Sequence, residues 1–215
     1  MNEAPITTCL FLDIGGVLLT DGWDHHARQR AVTHFHLDWI EMEERHSLLF
    51  ATYEEGNLTL EDYLARVIFY QERAFTRTQF RNFMFAQSKP SPEMMDMITR
   101  LKVRHGLKIV AVSNEARELN AHRIETFKLG ALVDFFISSC FVHIRKPDAD
   151  IFRLALDIAQ VPARQVVYIE NTPMFVEIAE GLGIRGILHV DYRSTCAQLA
   201  ALGLRDDGGA SHETG

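Results

Sequence analysis

Three apolar runs in this chain end in residues able to do polar chemistry. The first, Thr8 to Leu12 (TCLFL), ends in Asp13 with Gly15 and Gly16 just behind it. The second, Leu107 to Asn114 (LKIVAVSN), closes on Ser113-Asn114, and a later one, Gln165 to Asn171 (QVVYIEN), closes on Glu170-Asn171. Lys146, in RKPDADIF, is placed at the start of the helix that precedes the last of these runs, from where it is expected to reach the same edge. Together these positions supply a carboxylate, a hydroxyl, an amide, a cation and a second acid. Each also has an ordinary use: Asp before Gly-Gly makes turns, Ser and Asn cap helices, a lone Lys is a solvated charge, and an acid at a helix start is favoured by the dipole.

The runs make sense as elements of one scaffold. TCLFL, LKIVAVSN, FFISS (Phe135 to Ser139), QVVYIEN and IRGILHV (Ile184 to Val190) read as buried strands, and helical stretches separate them. Ser91-Pro92 and Thr172-Pro173 mark helix starts, and Gly106 and Gly183 mark stops. That rhythm predicts an α/β fold, a Rossmann-like, mostly parallel sheet with helices on both faces. Ligands bind such sheets outside the carboxyl ends of the strands, which is where the polar residues gather.

From Trp23 to Ser88 the rhythm fails. No convincing strand occurs, and Leu60, Leu64, Val67 and Ile68 repeat at helical spacing. Asp38 with Glu41, and Thr59 with Asp62, have the spacing of N-cap pairs. The predicted organisation is a core of residues 1–20 and 90–205, an all-helical insert over 21–89 placed as a lid, and a disordered tail over 206–215. The phenylalanines from Phe69 to Phe85 are expected in the interior of that insert.

The bulk numbers restrict the partners. A chain of 215 residues, 47% hydrophobic, can bury a substantial core. A net charge of −7 argues against nucleic acid and anionic membrane surfaces and toward a small-molecule substrate. Cys9, Cys140 and Cys196 suit free thiols in a reducing compartment. The start of the chain lacks a basic, apolar leader, and no run approaches the roughly 18 apolar residues of a membrane span. A cytoplasmic protein, monomer or homodimer, is expected. Ten scattered histidines include the adjacent pair His25-His26, which do not share a helix face and are read as surface residues.

In order, FLDIGGVLL, VAVSN, KPDADIF and YIEN resemble the four motifs of the haloacid dehalogenase-like superfamily, over Leu10 to Asn171. The insert resembles the helical cap of the subgroup holding sugar-phosphate phosphatases, phosphonatase and the L-2-haloacid dehalogenases. The resemblance implies Asp13 as covalent nucleophile, a role open to a group ionised at neutral pH. It implies that Ser113, Asn114, Lys146 and Gly16 hold the transferring group, with Lys146 neutralising charge as attack develops. It also implies Mg²⁺ among Asp13, the carbonyl of Gly15, Glu170 and Asn171, an oxygen-only set.

Two positions depart from the phosphatase pattern. Gly15 stands where an Asp protonates the leaving group, a contribution typically worth ~10²–10⁴-fold. Asn171 stands where an Asp contributes to the metal site, which shifts that load to Glu170. Asp21, His25 and His26 are the nearest acids for a replacement. No Lys precedes Lys89, which removes the Schiff-base chemistry of phosphonatases. A haloacid dehalogenase needs neither the second Asp nor a metal, but needs an Arg and aromatic residues from the cap; Arg28, Arg45, Arg66 and Phe69 are available. The reading ranks hydrolysis of a small phosphorylated metabolite first and dehalogenation second. The third is a silent relative that binds a phosphorylated ligand or a protein partner.

Overall fold

The structure is a computed structural model describing residues 6–206. Five strands, β1 (Cys9–Leu12), β2 (Lys108–Ser113), β3 (Phe135–Ser138), β4 (Val166–Glu170) and β5 (Arg185–Leu188), form one sheet in the order β3-β2-β1-β4-β5, with every neighbouring pair parallel. Helices α1 (His25–Phe35), α2 (Trp39–Glu54), α3 (Leu60–Val67) and α4 (Arg77–Ala86) lie between β1 and β2, and α5 (Pro92–His105) completes that connection. Later come α6 (Arg117–Thr126), the single turn α7 (Ser139–Val142), α8 (Asp150–Ala159), α9 (Pro173–Gly181) and α10 (Tyr192–Ala201).

The strands read as unbroken apolar runs because both sheet faces are covered. Leu10, Leu12, Ile109, Ala111 and Ile169 pack toward α5 and α10, whereas Phe11, Val110, Val112 and Tyr168 pack toward α8 and α9. The predicted α/β, Rossmann-like architecture is present, with an entirely parallel sheet. Among the described residues no helix is long and apolar enough to cross a membrane. All three cysteines are free thiols, two of them buried.

Local chemistry explains the helix ends. Asp38 accepts from the amide of Glu41, and Thr59 from that of Asp62, as their spacing predicts. Ser91 and Thr172 precede their helices but make no side-chain cap bond. Those two starts rest on Pro92 and Pro173, which have no amide hydrogen to satisfy. Lys146 does not open α8; it lies in the preceding loop and is joined to Pro147 by a cis peptide bond.

Helices α1 to α4 share an apolar cluster of their own, built on Trp23, Ala31, Tyr63, Leu64, Phe80 and Met84. Leu60, Leu64, Val67 and Ile68 are buried in it, as is Phe80, with Phe69 and Phe75 packed beside them. Ala116 and Leu119 of the α6 end join that cluster, so it rests on the loop following β2. Where the chain leaves and re-enters the helical segment, Thr20 and Lys89 hydrogen-bond each other: Thr20 N donates to Lys89 O (2.9 Å), and Lys89 N to Thr20 Oγ1 (3.0 Å). Of the tail expected over 206–215, residues 207–215 lie outside the described residues; Asp206 itself pairs with Arg100 at 2.6 Å.

Candidate active site

Asp13 sits at the carboxyl end of β1, flanked by the ends of β2 and β4. Its amide donates to Ile169 O (3.0 Å), and its Oδ1 accepts from the amide of Ile14 (2.9 Å). Lys146 Nζ lies 3.2 Å from Oδ1, and the Ser113 hydroxyl also bonds the carboxylate. Burial pushes the Asp13 pKa up to about 6, with Lys146 pulling it down and Glu170 pushing it further up. The group is therefore ionised at neutral pH yet poorly solvated, which suits a nucleophile.

Lys146 is almost wholly buried between two acids. Its Nζ donates to Glu170 Oε2 (2.6 Å) and Tyr168 OH (3.1 Å), and Tyr168 OH donates to the same Glu170 oxygen. The other Glu170 oxygen accepts from the amide of Thr172 (2.9 Å). Glu170, expected at a metal, is thus fully buried and engaged at both oxygens. Burial works against the Lys146 charge, but Asp13 and Glu170 outweigh it and its pKa is raised. Asn114 fixes the lysine from behind: its Nδ2 donates to Lys146 O and its Oδ1 accepts from Lys146 N, both at 2.8 Å. Tyr168 was missed from sequence, although it lies two residues before Glu170 on one strand, a spacing that puts both on the same face.

Behind Asp13 the chain turns back on itself. The amides of Leu18 and Leu19 both bond Ile14 O (3.1 and 2.9 Å), and Gly15 bridges to Leu19. This fold-back lays Asp21 against the glycines. A Cβ on Gly15 would lie 3.7 Å from Asp21 Oδ1. At Gly16 (φ +69°) a Cβ would lie 1.9 Å from Asn171 Nδ2 and 2.6 Å from Asp21 Oδ1. Only glycine fits there. Asn171 Nδ2 in turn donates to Asp21 Oδ1 (3.0 Å).

Two hollows meet above this point. A cavity of about 550 Å³ lies between the sheet edge and the helical segment, lined by Arg28, Glu43, His46, Tyr53, Glu54, Asn114 and Glu115 among others. A wider groove of about 1270 Å³ runs past Gly16, Arg30, Phe83 and His189. Asp21 and Asp24 line both, and Asn114 and Gly16, the neighbours of Asp13, line one each. His25 faces the cavity and His26 the groove, and both are exposed.

Four charged residues of the cavity, Arg28, Glu43, Glu54 and Glu115, are held in ion pairs. Arg28 grips Glu43 through Nε (2.5 Å) and Nη2 (3.0 Å), and its Nη1 donates to Trp23 O (2.9 Å). Glu54 pairs with Arg145 at 2.9 Å. Glu115 pairs with the fully buried Arg123, which also bonds Ser88 Oγ and Thr20 O and so holds both strands of the linker. Burial raises the Glu115 pKa to about 7 although Arg123 opposes it. His46 bonds Tyr63 OH (2.8 Å), and burial, aided by Arg28, lowers its pKa to about 4. Of the other candidates, Arg45 lies over the Tyr70 ring, Arg66 is exposed and Phe69 packs in the helical interior. The sequence offers Arg28 as one of three equivalent cap arginines and gives no signal for Glu43, His46 or Glu54, because each depends on which face of a helix turns toward the sheet.

Residues 7–183 match the sequence model of the haloacid dehalogenase-like hydrolases. The chain belongs to this family. A comparison with curated proteins finds no match. Among solved structures, this haloacid dehalogenase-like hydrolase resembles a HAD family enzyme from Bacteroides thetaiotaomicron, with 17% identity over 85% of this chain and 93% of that one and a TM-score of 0.73. That enzyme has also been solved with magnesium and inorganic phosphate. A predicted HAD-like hydrolase from Porphyromonas gingivalis matches at 18% identity over 94% of this chain and all of that one, with a TM-score of 0.74. The L-2-haloacid dehalogenase of Xanthobacter autotrophicus, solved with chloropropionic acid covalently bound, matches at 14% identity over 94% and 85% of the two chains, with a TM-score of 0.61. At these identities the likeness speaks for the fold.

Proposed function

We propose that this hydrolase cleaves a small phosphate ester through an aspartyl-phosphate on Asp13, with the helical segment serving as its cap. In the first step an Asp13 oxygen attacks phosphorus and the ester P–O bond breaks, its electron pair leaving on the alcohol oxygen, which takes its proton from solvent water because Gly15 has no acid to offer. In the second, water attacks phosphorus, the P–Oδ bond breaks, and phosphate leaves with the carboxylate restored. Ser113 and the Asn114 amide orient the phosphoryl oxygens, and Lys146 offsets the charge that builds on them. Gly16 lets the loop approach closely.

Among the described residues no three His, Cys, Asp or Glu side chains cluster as a metal site. Mg²⁺ does not require that, because it commonly takes one or two protein carboxylates and completes its shell with water and phosphate. Asp13, the Gly15 carbonyl and the Asn171 amide oxygen are hard donors and fit it. Once bound, the ion would neutralise the phosphoryl oxygens.

The observation that carries this reading over dehalogenation is Arg28. Among the described residues it is the one Arg or Lys lining the cavity of about 550 Å³, and Glu43 and the Trp23 carbonyl accept from its Nε, Nη1 and Nη2. A haloacid would bring a carboxylate to a wall already carrying Glu43, Glu54 and Glu115. Gly15 favours the other reading, since a departing halide needs no proton. Hydrolysis of para-nitrophenyl phosphate, whose acidic leaving group also needs none, decides between them. Magnesium-dependent turnover that disappears in Asp13→Asn is the expected result. Release of chloride from 2-chloropropionate, without turnover of the phosphate, overturns it.

A further inference from the structure

We infer that Asp21 supplies the second carboxylate of the magnesium site, replacing the acid that the family carries at the position of Asn171. The inference rests on the phosphatase reading above and concerns this chain's own donors.

Without Asp21, the site offers a cation very little negative charge. Asp13 already shares its Oδ1 with the Lys146 ammonium at 3.2 Å. Glu170 is spent on Lys146, Tyr168 and the Thr172 amide, and is wholly buried. Asn171 brings an amide. A divalent ion facing one half-neutralised carboxylate and two neutral oxygens would be weakly held.

Asp21 corrects this shortfall from an unexpected place in the sequence. The fold-back at Leu18 and Leu19 returns the chain to Gly15, so the Asp21 carboxylate lies on the same side as Asn171, 3.0 Å from its amide nitrogen. Rotating that amide by half a turn exchanges nitrogen for oxygen, so the pair joined by a hydrogen bond also presents two oxygens to one cation. No Lys or Arg pairs with Asp21 among the described residues, and the carboxylate is exposed to both hollows. The glycines make the arrangement possible, since any side chain at Gly16 would enter the space of Asn171 and Asp21. The loop is held on its far side as well: Arg123 bonds Thr20 O, and a Cβ on Gly22 would collide with the same guanidinium. With Asp21 counted, the ion would face a second carboxylate, one that no Lys or Arg shares among the described residues.

The test is calorimetric titration of the whole protein with Mg²⁺, comparing wild type, Asp21→Asn and Asp24→Asn. Asp21→Asn keeps the acceptor for Asn171 and removes only the charge, and a thermal melt of each variant checks folding. Its Kd for Mg²⁺ should rise at least tenfold, since even outer-shell partners are worth about 10–100-fold. Asp24→Asn, which removes a neighbouring carboxylate that caps α1, should bind as wild type does. Equal affinity in wild type and Asp21→Asn, or equal weakening by both variants, overturns the assignment. If wild type shows metal-dependent turnover in that case, the phosphatase reading stands without it. A wild type that neither binds Mg²⁺ nor turns over the phosphate ester overturns both.

Discussion

The sheet side and the helical side of the cavity each bury a cation against a glutamate, yet the two pairs are built for different work. On the sheet side Lys146 has two acidic partners, and the second, Asp13, keeps 8% of its surface exposed. On the helical side Arg28 has one acidic partner and one carbonyl, which engage its donors. One pair holds a reactive group in tension between charges; the other removes a charge from the wall. Buried ion pairs are therefore poor markers of chemistry until their remaining bonds are counted.

That contrast should appear most sharply in rates. Asp13→Asn removes the nucleophile and should lower kcat by about 10⁴-fold or more, in line with losses on deleting the nucleophile of a hydrolase. Arg28→Ala should leave kcat within tenfold of wild type, because no donor of Arg28 reaches the reacting carboxylate. Steady-state kinetics on para-nitrophenyl phosphate reads both, and a larger fall in kcat for Arg28→Ala than for Asp13→Asn would break the comparison.

Lys146→Ala should rank next, with two consequences. Turnover should fall about 10²–10³-fold, the usual cost of losing one charge-stabilising donor. Stability should fall by about 3–5 kcal/mol in chemical denaturation, because Glu170 would be left buried without its counter-charge. Arg28→Ala should cost less, about 1–3 kcal/mol, since Glu43 is partly exposed and can take water. Glu43→Gln should have the mildest kinetic effect but the most specific one. Releasing the Arg28 charge should lower KM for a substrate or Ki for an inhibitor bearing a second anionic group, with kcat nearly unchanged.

The two sides also differ in how far the sequence announced them. The positions of Asp13, Ser113 and Asn171 at one edge were legible because strand ends are marked by abrupt changes from apolar to polar, and a parallel sheet gathers those ends at one edge. The parallel sheet followed from the same alternation. Lys146 was misplaced by a few residues, at a helix start rather than in the loop before it, since RKPDADIF contains signals for both. Glu170 was read as a ligand because its partners Lys146 and Tyr168 are brought to it by the fold. His46 and Glu54 were illegible, and Arg28 could not be told from Arg45 and Arg66, for a further reason. Arg28, His46 and Glu54 each sit in α1 or α2, helices where several polar positions are equivalent in sequence, and the packing of the helical segment on the loop after β2 selects among them.

The response to pH separates the two sides by sign. His46, on the helical side, has its pKa lowered to about 4 from an ordinary 6.5, chiefly by burial. A histidine depressed in the folded state stabilises fully above its unfolded pKa, and that contribution is lost as pH falls from about 6.5 through about 4. The full difference is on the order of 3 kcal/mol, at 1.36 kcal/mol per unit. Asp13, raised to about 6 from 3.8, behaves in the opposite sense: its contribution is present at low pH and lost as pH rises through about 6. Acidification between pH 6 and 4.5 should therefore weaken the helical side while relieving the sheet side. Melting temperatures of wild type and His46→Gln at pH 7 and pH 4.5 measure the first effect, and the variant should lose less stability on acidification than wild type. The Asp13→Asn variant, which cannot gain from protonation at that site, should lose more. Parallel responses of all three proteins would mean that the protonation of these two groups does not distinguish the walls of the cavity.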